Sequence, residues 1–146
     1  MNTTLIRPAF AVVALSAMLL AGVPAFAEMV SYKADLKASA EVPPNDSKGT
    51  GAVDATYDTT AKKLSWTITY SGLTGPATAA HFHGPAAADA NAAPVVPLSG
   101  DLASPIKGNA TLTDAQAADL QAGRWYFNVH TATHAGGELR GQVVKK

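Results

Sequence analysis

The chain has 146 residues and a formal net charge of zero, and only 15% of its residues are charged. This balance excludes a basic stripe that could bind phosphate backbones or anionic lipid, so nucleic acid is not an expected partner. The sequence has no cysteine, which excludes disulfides and thiolate metal sites, so any metal would be held by nitrogen and oxygen ligands.

Residues 1–27 have the features of a secretory signal peptide. A positively charged start precedes the apolar run Ala11–Leu20, and small residues of the A-x-A type end at Ala27. The apolar run is shorter than the roughly 20 residues that cross a bilayer, and no second hydrophobic segment follows it. We therefore expect residues 28–146 to form one domain of a periplasmic or secreted protein that does not span the membrane.

Short segments in which polar and apolar residues alternate dominate the rest of the chain. The period of two is typical of strands with one buried face, and turn residues separate the segments. The pattern predicts an all-β, antiparallel sandwich or barrel. The apolar positions that define the first three strands are Val30, Tyr32, Ala34 and Leu36, then Val53, Ala55 and Tyr57, then Leu64, Trp66, Ile68 and Tyr70.

Two segments in the second half depart from this pattern. Pro85–Pro94 is rich in alanine, proline and polar residues, which predicts a long loop over one end of the fold. Thr113 and Gln116 have the spacing of a capping box, alanines and a leucine follow, and Gly123 is a plausible stop signal. This segment predicts one short crossover helix.

The C-terminal residues predict a β-hairpin. Arg124–Thr131 and Gly137–Val144 both alternate, and the residues between them can form the turn. If Thr131 pairs with Gly137, one sheet face carries three cross-strand pairs, each polar or aromatic in character. These are His130 with Glu138, Asn128 with Arg140, and Tyr126 with Gln142.

The four histidines of the chain all lie in two short segments, which makes a metal site the first hypothesis to test. His81 and His83 alternate on one strand, so their Cα atoms should lie roughly 6.5 to 7 Å apart with both rings on the same side. His130 on the hairpin could supply a third nitrogen, and His134 in the turn could supply a fourth or gate the site. Glu138 opposite His130 could orient its imidazole through the second ring nitrogen.

Asn128 and Arg140, on the same face of the hairpin, are further candidates to support the ligands. The alternative interpretation is simpler, because histidines at strand ends often only bind a backbone carbonyl. In that case Asn128, Arg140 and Gln142 form a polar ladder on a solvated outer face. If an ion is bound, an imidazole set without thiolates favours copper first and zinc second. A methionine-rich copper(I) site is excluded because Met1 and Met18, two of the three methionines, fall in the predicted signal peptide.

Several motifs together resemble the CHRD domain, the module repeated in chordin and found singly in exported bacterial proteins. They are Ala80–Pro85, Trp125–Thr131, Gly136–Gln142 and the segment from Ala34 to Pro44 with Gly49–Gly51 after it. The resemblance covers nearly all of residues 28–146. It implies an antiparallel β-sandwich of Greek-key or immunoglobulin-like type, and it does not supply an activity.

Three functions remain open on the sequence. The first is an exported, non-catalytic domain that binds copper, or zinc, through His81, His83 and His130 with help from His134 or Glu138, for metal buffering or delivery. The alternative is an extracellular or periplasmic module that binds a protein or polysaccharide partner without metal. The third is a metalloenzyme with an open coordination position.

Overall fold

The computed structural model describes residues 27–146, so the predicted signal peptide, apart from Ala27, lies outside the described residues. In this range the chain forms eight strands and one α-helix, with a 3₁₀ turn at Ala38–Ala40. The strands are β1 (Met29–Lys37), β2 (Thr50–Asp58), β3 (Lys63–Ser71), β4 (Ala77–His83), β5 (Pro94–Pro97), β6 (Ile106–Thr111), β7 (Trp125–Thr131) and β8 (Leu139–Lys145), and the helix is α1 (Asp114–Gln121).

All eight strands belong to one antiparallel sheet with the order β5-β4-β7-β8-β1-β2-β3-β6. The two end strands, β5 and β6, line the same cavity of about 170 Å³, so the sheet curls until its edges face each other. The predicted all-β, antiparallel fold is confirmed. Its opposing layers are the two sides of one nearly closed sheet.

The alternating side chains explain both the strands and the core. In β1 the buried and exposed positions alternate without a break, and the buried ones are those that the sequence pattern marks as apolar. The same alternation continues in β2 and β3, so the inner face of the curled sheet is filled with apolar groups. Burial of this surface is the main stabilising contribution to the fold. Its largest members include Tyr32, Trp66, Phe82, Trp125 and Phe127.

The predicted crossover helix is confirmed. Thr113 accepts a hydrogen bond from the backbone N–H of Gln116, and the Gln116 side chain accepts one from the backbone N–H of Thr113, which completes the capping box. Gly123 has a φ of +70° just after the helix, a conformation that glycine adopts without strain. The helix leads the chain from the edge strand β6 back to β7 in the middle of the sheet.

The loop after β4 begins and ends one residue earlier than the sequence predicts, because β4 ends at His83 and β5 begins at Pro94. This four-residue strand pairs with β4, and its two prolines are tolerated because an edge strand needs partners on one side only. The remaining loop, residues 84–93, is called the cover loop below. It crosses the outer face of the sheet and is held there by side chains of β7 and β8.

The register of the terminal hairpin is the predicted one. Asn128 pairs with Arg140 and Tyr126 with Gln142. The solvated ladder interpretation is wrong for Asn128 and Arg140, which are only 3% and 1% exposed. The cover loop lies over them, so their polar groups find partners within the protein.

Candidate metal centre

Strands β4 and β7 bring three histidines together. In β4 the alternation sends Ala80 and Phe82 into the core, which places His81 and His83 on the outer face. Strand β7 lies beside β4 with His130 opposite Ala79, two positions before His81 and therefore on the same face. The structure therefore brings together two histidine segments that are distant in the sequence, since His81 and His130 are 49 residues apart.

The three rings are close enough to share one ion. His81 Nδ1 and His130 Nε2 are 3.1 Å apart, and one ring nitrogen from each of His81, His83 and His130 lies within 4.8 Å of the others. The ring centroids are separated by 5.3 Å for His81 and His83 and by 4.9 Å for His81 and His130. Two nitrogens bonded to one ion at about 2.0 Å lie at most about 4 Å apart, so His81 and His130 already have the spacing of shared ligands, and the nearest nitrogen of His83 lies close to them.

Backbone carbonyls fix the orientation of two of these rings. His130 Nδ1 lies 2.9 Å from the carbonyl oxygen of Ala135, and His83 Nδ1 lies 2.8 Å from that of Ala92. Because a carbonyl oxygen can only accept, Nδ1 of each ring must donate, and in the neutral ring this leaves a lone pair on Nε2. Metal-bound histidines are commonly oriented by such a bond to the other nitrogen.

His83 is also clamped between side chains of the hairpin. Its ring stacks on Tyr126 with centroids 4.7 Å apart and planes within 3°, and the Arg140 guanidinium lies 3.5 Å from the Tyr126 ring centre on a cation–π contact. Asn128 Oδ1 is 2.9 Å from His83 Nε2. The Asn128 amide can present its oxygen to a doubly protonated ring or, after a half-turn, its nitrogen to a neutral ring.

Burial favours the neutral form of two rings, which is the form that binds metal. The pKa of His81 is lowered mainly by burial and further by the neighbouring His130 and His83. The pKa of His83 is also lowered, mainly by burial; hydrogen bonds to Ala92 and Asn128 act in the opposite direction. His81 and His130 remain partly exposed, so an ion held here could keep a position open to solvent.

Arg140 connects the cover loop to the site. Its Nη2 donates to the carbonyl oxygen of Ala90 at 2.6 Å, and its Nη1 donates to Asn91 Oδ1 at 2.9 Å. The same side chain lies on Tyr126, which in turn stacks on His83. A single buried guanidinium thus fixes both the loop that supplies the Ala92 carbonyl and the ring beside His83.

Glu138 lies in a separate polar cluster and does not contact His130. Its carboxylate accepts hydrogen bonds from Ser47 Oγ at 2.7 Å, Thr131 Oγ1 at 2.6 Å, and the backbone N–H and Oγ1 of Thr74 at 2.8 and 2.7 Å. Burial alone would raise the pKa of Glu138, but these hydrogen bonds outweigh it and hold the pKa at about 2. The nitrogen of His130 that was predicted to face Glu138 instead meets Ala135.

His134 also stays apart from the three clustered rings. It lies in the hairpin turn, where its backbone carbonyl accepts from Gly137 N–H at 3.0 Å and its backbone N–H donates to Thr131 Oγ1 at 3.2 Å. Its side chain lines a cavity next to Glu41. The structure therefore groups three of the four histidines as candidate ligands within residues 27–146.

Sequence reasoning missed Tyr126 and the two loop carbonyls as parts of the site. Tyr126 could have been found, because it alternates with Asn128 and His130 on β7 and must share their face. The carbonyls of Ala92 and Ala135 leave no signal in residue type, since every residue carries one. Their positions follow only from the path of the loops.

Comparisons with known proteins agree with the motifs. Neither curated proteins nor solved structures give a match to this chain. In residues 27–146 no helix is both long and apolar enough to cross a membrane. The sequence model of the CHRD domain matches residues 32–143, a range that contains every strand named above in whole or in part, all three clustered histidines and Arg140. The chain belongs to the CHRD domain family.

Proposed function

We propose that this CHRD domain binds one transition metal ion through His81, His83 and His130, with copper favoured over zinc. The observation that carries the proposal is the 3.1 Å separation of His81 Nδ1 and His130 Nε2, with a nitrogen of His83 within reach of both. Three imidazoles on neighbouring strands of a rigid sheet are pre-oriented, so little side-chain freedom is lost when the ion binds.

The ligand set favours copper on chemical grounds. It offers nitrogen without any thiolate, and divalent copper has the highest affinity for such sites among the first-row metals. Zinc also binds three histidines readily, which makes it the second choice. Asn128 and Arg140 would support the site: Asn128 beside His83 Nε2, and Arg140 through Tyr126 and the cover loop.

We assign the domain a non-catalytic role in metal buffering or delivery outside the cytoplasm, in the periplasm or as a secreted protein. The signal-peptide features of residues 1–27 support this location. A partner in the envelope or the extracellular space would then receive or supply the ion.

An interaction module without metal receives less support from the surface. Among residues 27–146 the exposed large hydrophobic side chains are Met29 and Val144. Met29 lies on β1 and Val144 on β8, and neither strand carries one of the clustered histidines. A docking face usually carries an exposed apolar patch, and these two residues do not form one beside the histidines.

Calorimetric titration of metal-free protein with Cu(II) tests the proposal. We expect one equivalent at about micromolar affinity or tighter, which corresponds to roughly 8 kcal/mol. The double variant His81→Ala, His83→Ala should lose this binding. His134→Ala is the matched control, because it removes an imidazole that lies outside the cluster, and it should bind as the unchanged protein does. Binding only at millimolar copper, or equal loss in His134→Ala, would contradict the proposal.

A further inference from the structure

A second polar site lies at Glu41, away from the three histidines. Glu41 follows the 3₁₀ turn and is only 5% exposed. Its Oε1 has no hydrogen-bond partner among the described residues. A buried carboxylate oxygen without a hydrogen-bond donor is costly, because no protein group replaces the water that this atom has lost.

The guanidinium of Arg140, a positive charge near Glu41, forms no ion pair with the Glu41 carboxylate. The guanidinium of Arg140 donates to Asn91 and to carbonyl oxygens of the cover loop, and no ion pair links it to Glu41 within the described residues. Burial raises the pKa of Glu41 to about 7, although the charge of Arg140, the Asn128 side chain and the Val42 backbone act to lower it. The carboxyl group therefore stands to gain from a cation that reaches it.

Glu41 lines a cavity of about 280 Å³ through which a cation could arrive. One wall is the segment from Val42 to Asn45, and the other is the hairpin turn from Thr133 to Gly137. Gly137 has a φ of +129°, and a Cβ atom at this position would collide with Glu41 Oε1. Because Gly137 has no side chain, the Glu41 carboxylate can pack directly against the backbone of the turn.

The donor atoms here do not suit a chelated metal ion. Among residues 27–146 the group of three ligand side chains that could hold an ion is the histidine cluster, and Glu41 and His134 do not form another. One carboxylate matches a single positive charge. The apolar wall of Val42, Pro43 and Pro44 suits the methylene groups next to such a charge.

We propose that this cavity binds a primary ammonium group, with the Glu41 carboxylate as its counter-ion and the proline wall against its alkyl chain. Such a group belongs either to a free small amine or to a lysine side chain of a protein partner. The site uses none of the three clustered histidines, and it shares with the metal proposal only the neighbouring residues Asn128 and Arg140.

Titration of metal-free, isotope-labelled protein with n-butylammonium chloride at pH 7.5 tests this site by NMR. We expect saturable shifts of the amide signals of Thr133, Gly136 and Gly137. Glu41→Gln should abolish them, and Asp46→Asn, which removes an exposed carboxylate from the same loop, should not. Tetramethylammonium has no N–H donor and should not saturate the site. A lysine-containing peptide that binds more tightly than n-butylammonium would identify a protein as the source of the amine, and equal affinity would identify a free amine.

Affinity should depend on pH in a defined direction. The titratable and charged groups that face Glu41 are Arg140 on β8 and His134 on the turn. Because the carboxyl group must be ionised to hold the ammonium, binding should weaken about 20-fold between pH 7.5 and pH 5.5. Three results would each overturn the proposal: no saturable shift at pH 7.5, unchanged binding in Glu41→Gln, or equal binding of tetramethylammonium.

Discussion

Two polar clusters that include residues of the terminal hairpin differ in how their side chains are hydrogen-bonded. The carboxylate of Glu138 accepts four hydrogen bonds from Ser47, Thr74 and Thr131, and its pKa falls to about 2. In the histidine cluster, two imidazole nitrogens face each other at 3.1 Å, and burial lowers the pKa of His81. Every hydrogen bond of the first cluster ends on one carboxylate, and the second cluster brings together three ring nitrogens that could act as metal ligands.

The difference separates a hydrogen-bonded network from a group of candidate ligands. A buried network in which every acceptor has its donors stabilises the fold and needs nothing more. His81 Nδ1 and His130 Nε2 can share one proton between them, and the same two nitrogens are the atoms that would bind the ion proposed above. Both clusters contain residues that the sequence marks as candidates, and hydrogen bonding decides between their roles.

Removal of Glu138 should have the largest effect on stability. Glu138→Ala leaves four donors without their charged acceptor, and we expect the free energy of unfolding to fall by about 4 kcal/mol. Urea denaturation measures this change. Copper affinity of the folded variant should stay within about threefold of the unchanged protein, because Glu138 does not contact the histidines. A large loss of copper affinity at unchanged stability would reverse the assignment of the two clusters.

Acid should weaken the Glu138 cluster in a defined window. The pKa of about 2 in the folded protein lies below the usual value of 4.5, so the ionised carboxylate stabilises the fold fully above about pH 4.5. This contribution, about 3 kcal/mol, is lost as the pH falls from 4.5 towards 2. Urea unfolding across this range should show the loss in the unchanged protein. In Glu138→Gln the part of this loss that is due to the Glu138 carboxyl group should be absent. If the free energy of unfolding depended on pH identically in the two proteins, the stabilising role of Glu138 would be contradicted.

Loss of one clustered histidine should affect metal binding far more than stability. We expect His130→Ala to reduce copper affinity by more than roughly 100-fold, since even the loss of a residue that only orients a ligand costs up to this amount. Its unfolding free energy without metal should change by less than about 1 kcal/mol, because His130 is partly exposed. Calorimetry and denaturation on the same preparation compare the two quantities. A fall in stability with intact copper binding would place His130 among the structural groups.

The smallest effect should come from Asn128, which contacts the histidine cluster at one ring. Asn128→Ala leaves the ligands in place but removes the amide that contacts His83 Nε2. We expect copper affinity to change by about tenfold. Competition with a chelator of known affinity can resolve this change, and a shift as large as that of His130→Ala would make Asn128 a ligand in its own right.

Much of the fold could be predicted because alternation is a local property. The buried faces of β1, β2 and β3, the capping box at Thr113 and the hairpin register all follow from residue type and spacing. The H-x-H pair and its place on the outer face follow from the same rule. The edge strand β5 could not be predicted, because Pro94–Pro97 is short and both its ends are proline.

The site was harder to predict because it depends on contacts between distant segments. Cross-strand position places Glu138 near His130, but the carboxylate turns to Thr74 and Ser47, which come from two other loops. His134 follows closely after His130 in the chain, yet the path of the turn carries it to the cavity beside Glu41. Neither outcome can be derived from periodicity, which fixes the face of a residue and not its partners.

Counting the imidazoles on bound copper tests the central claim most directly. Pulsed electron paramagnetic resonance of the protein with one equivalent of Cu(II) detects the remote nitrogens of coordinated histidine rings. A site of three histidines should give three contributions of similar strength, which should fall to two in His81→Ala and in His130→Ala and remain three in His134→Ala. One ring or none, or a spectrum that His81→Ala and His130→Ala leave unchanged, would contradict a metal site at this cluster.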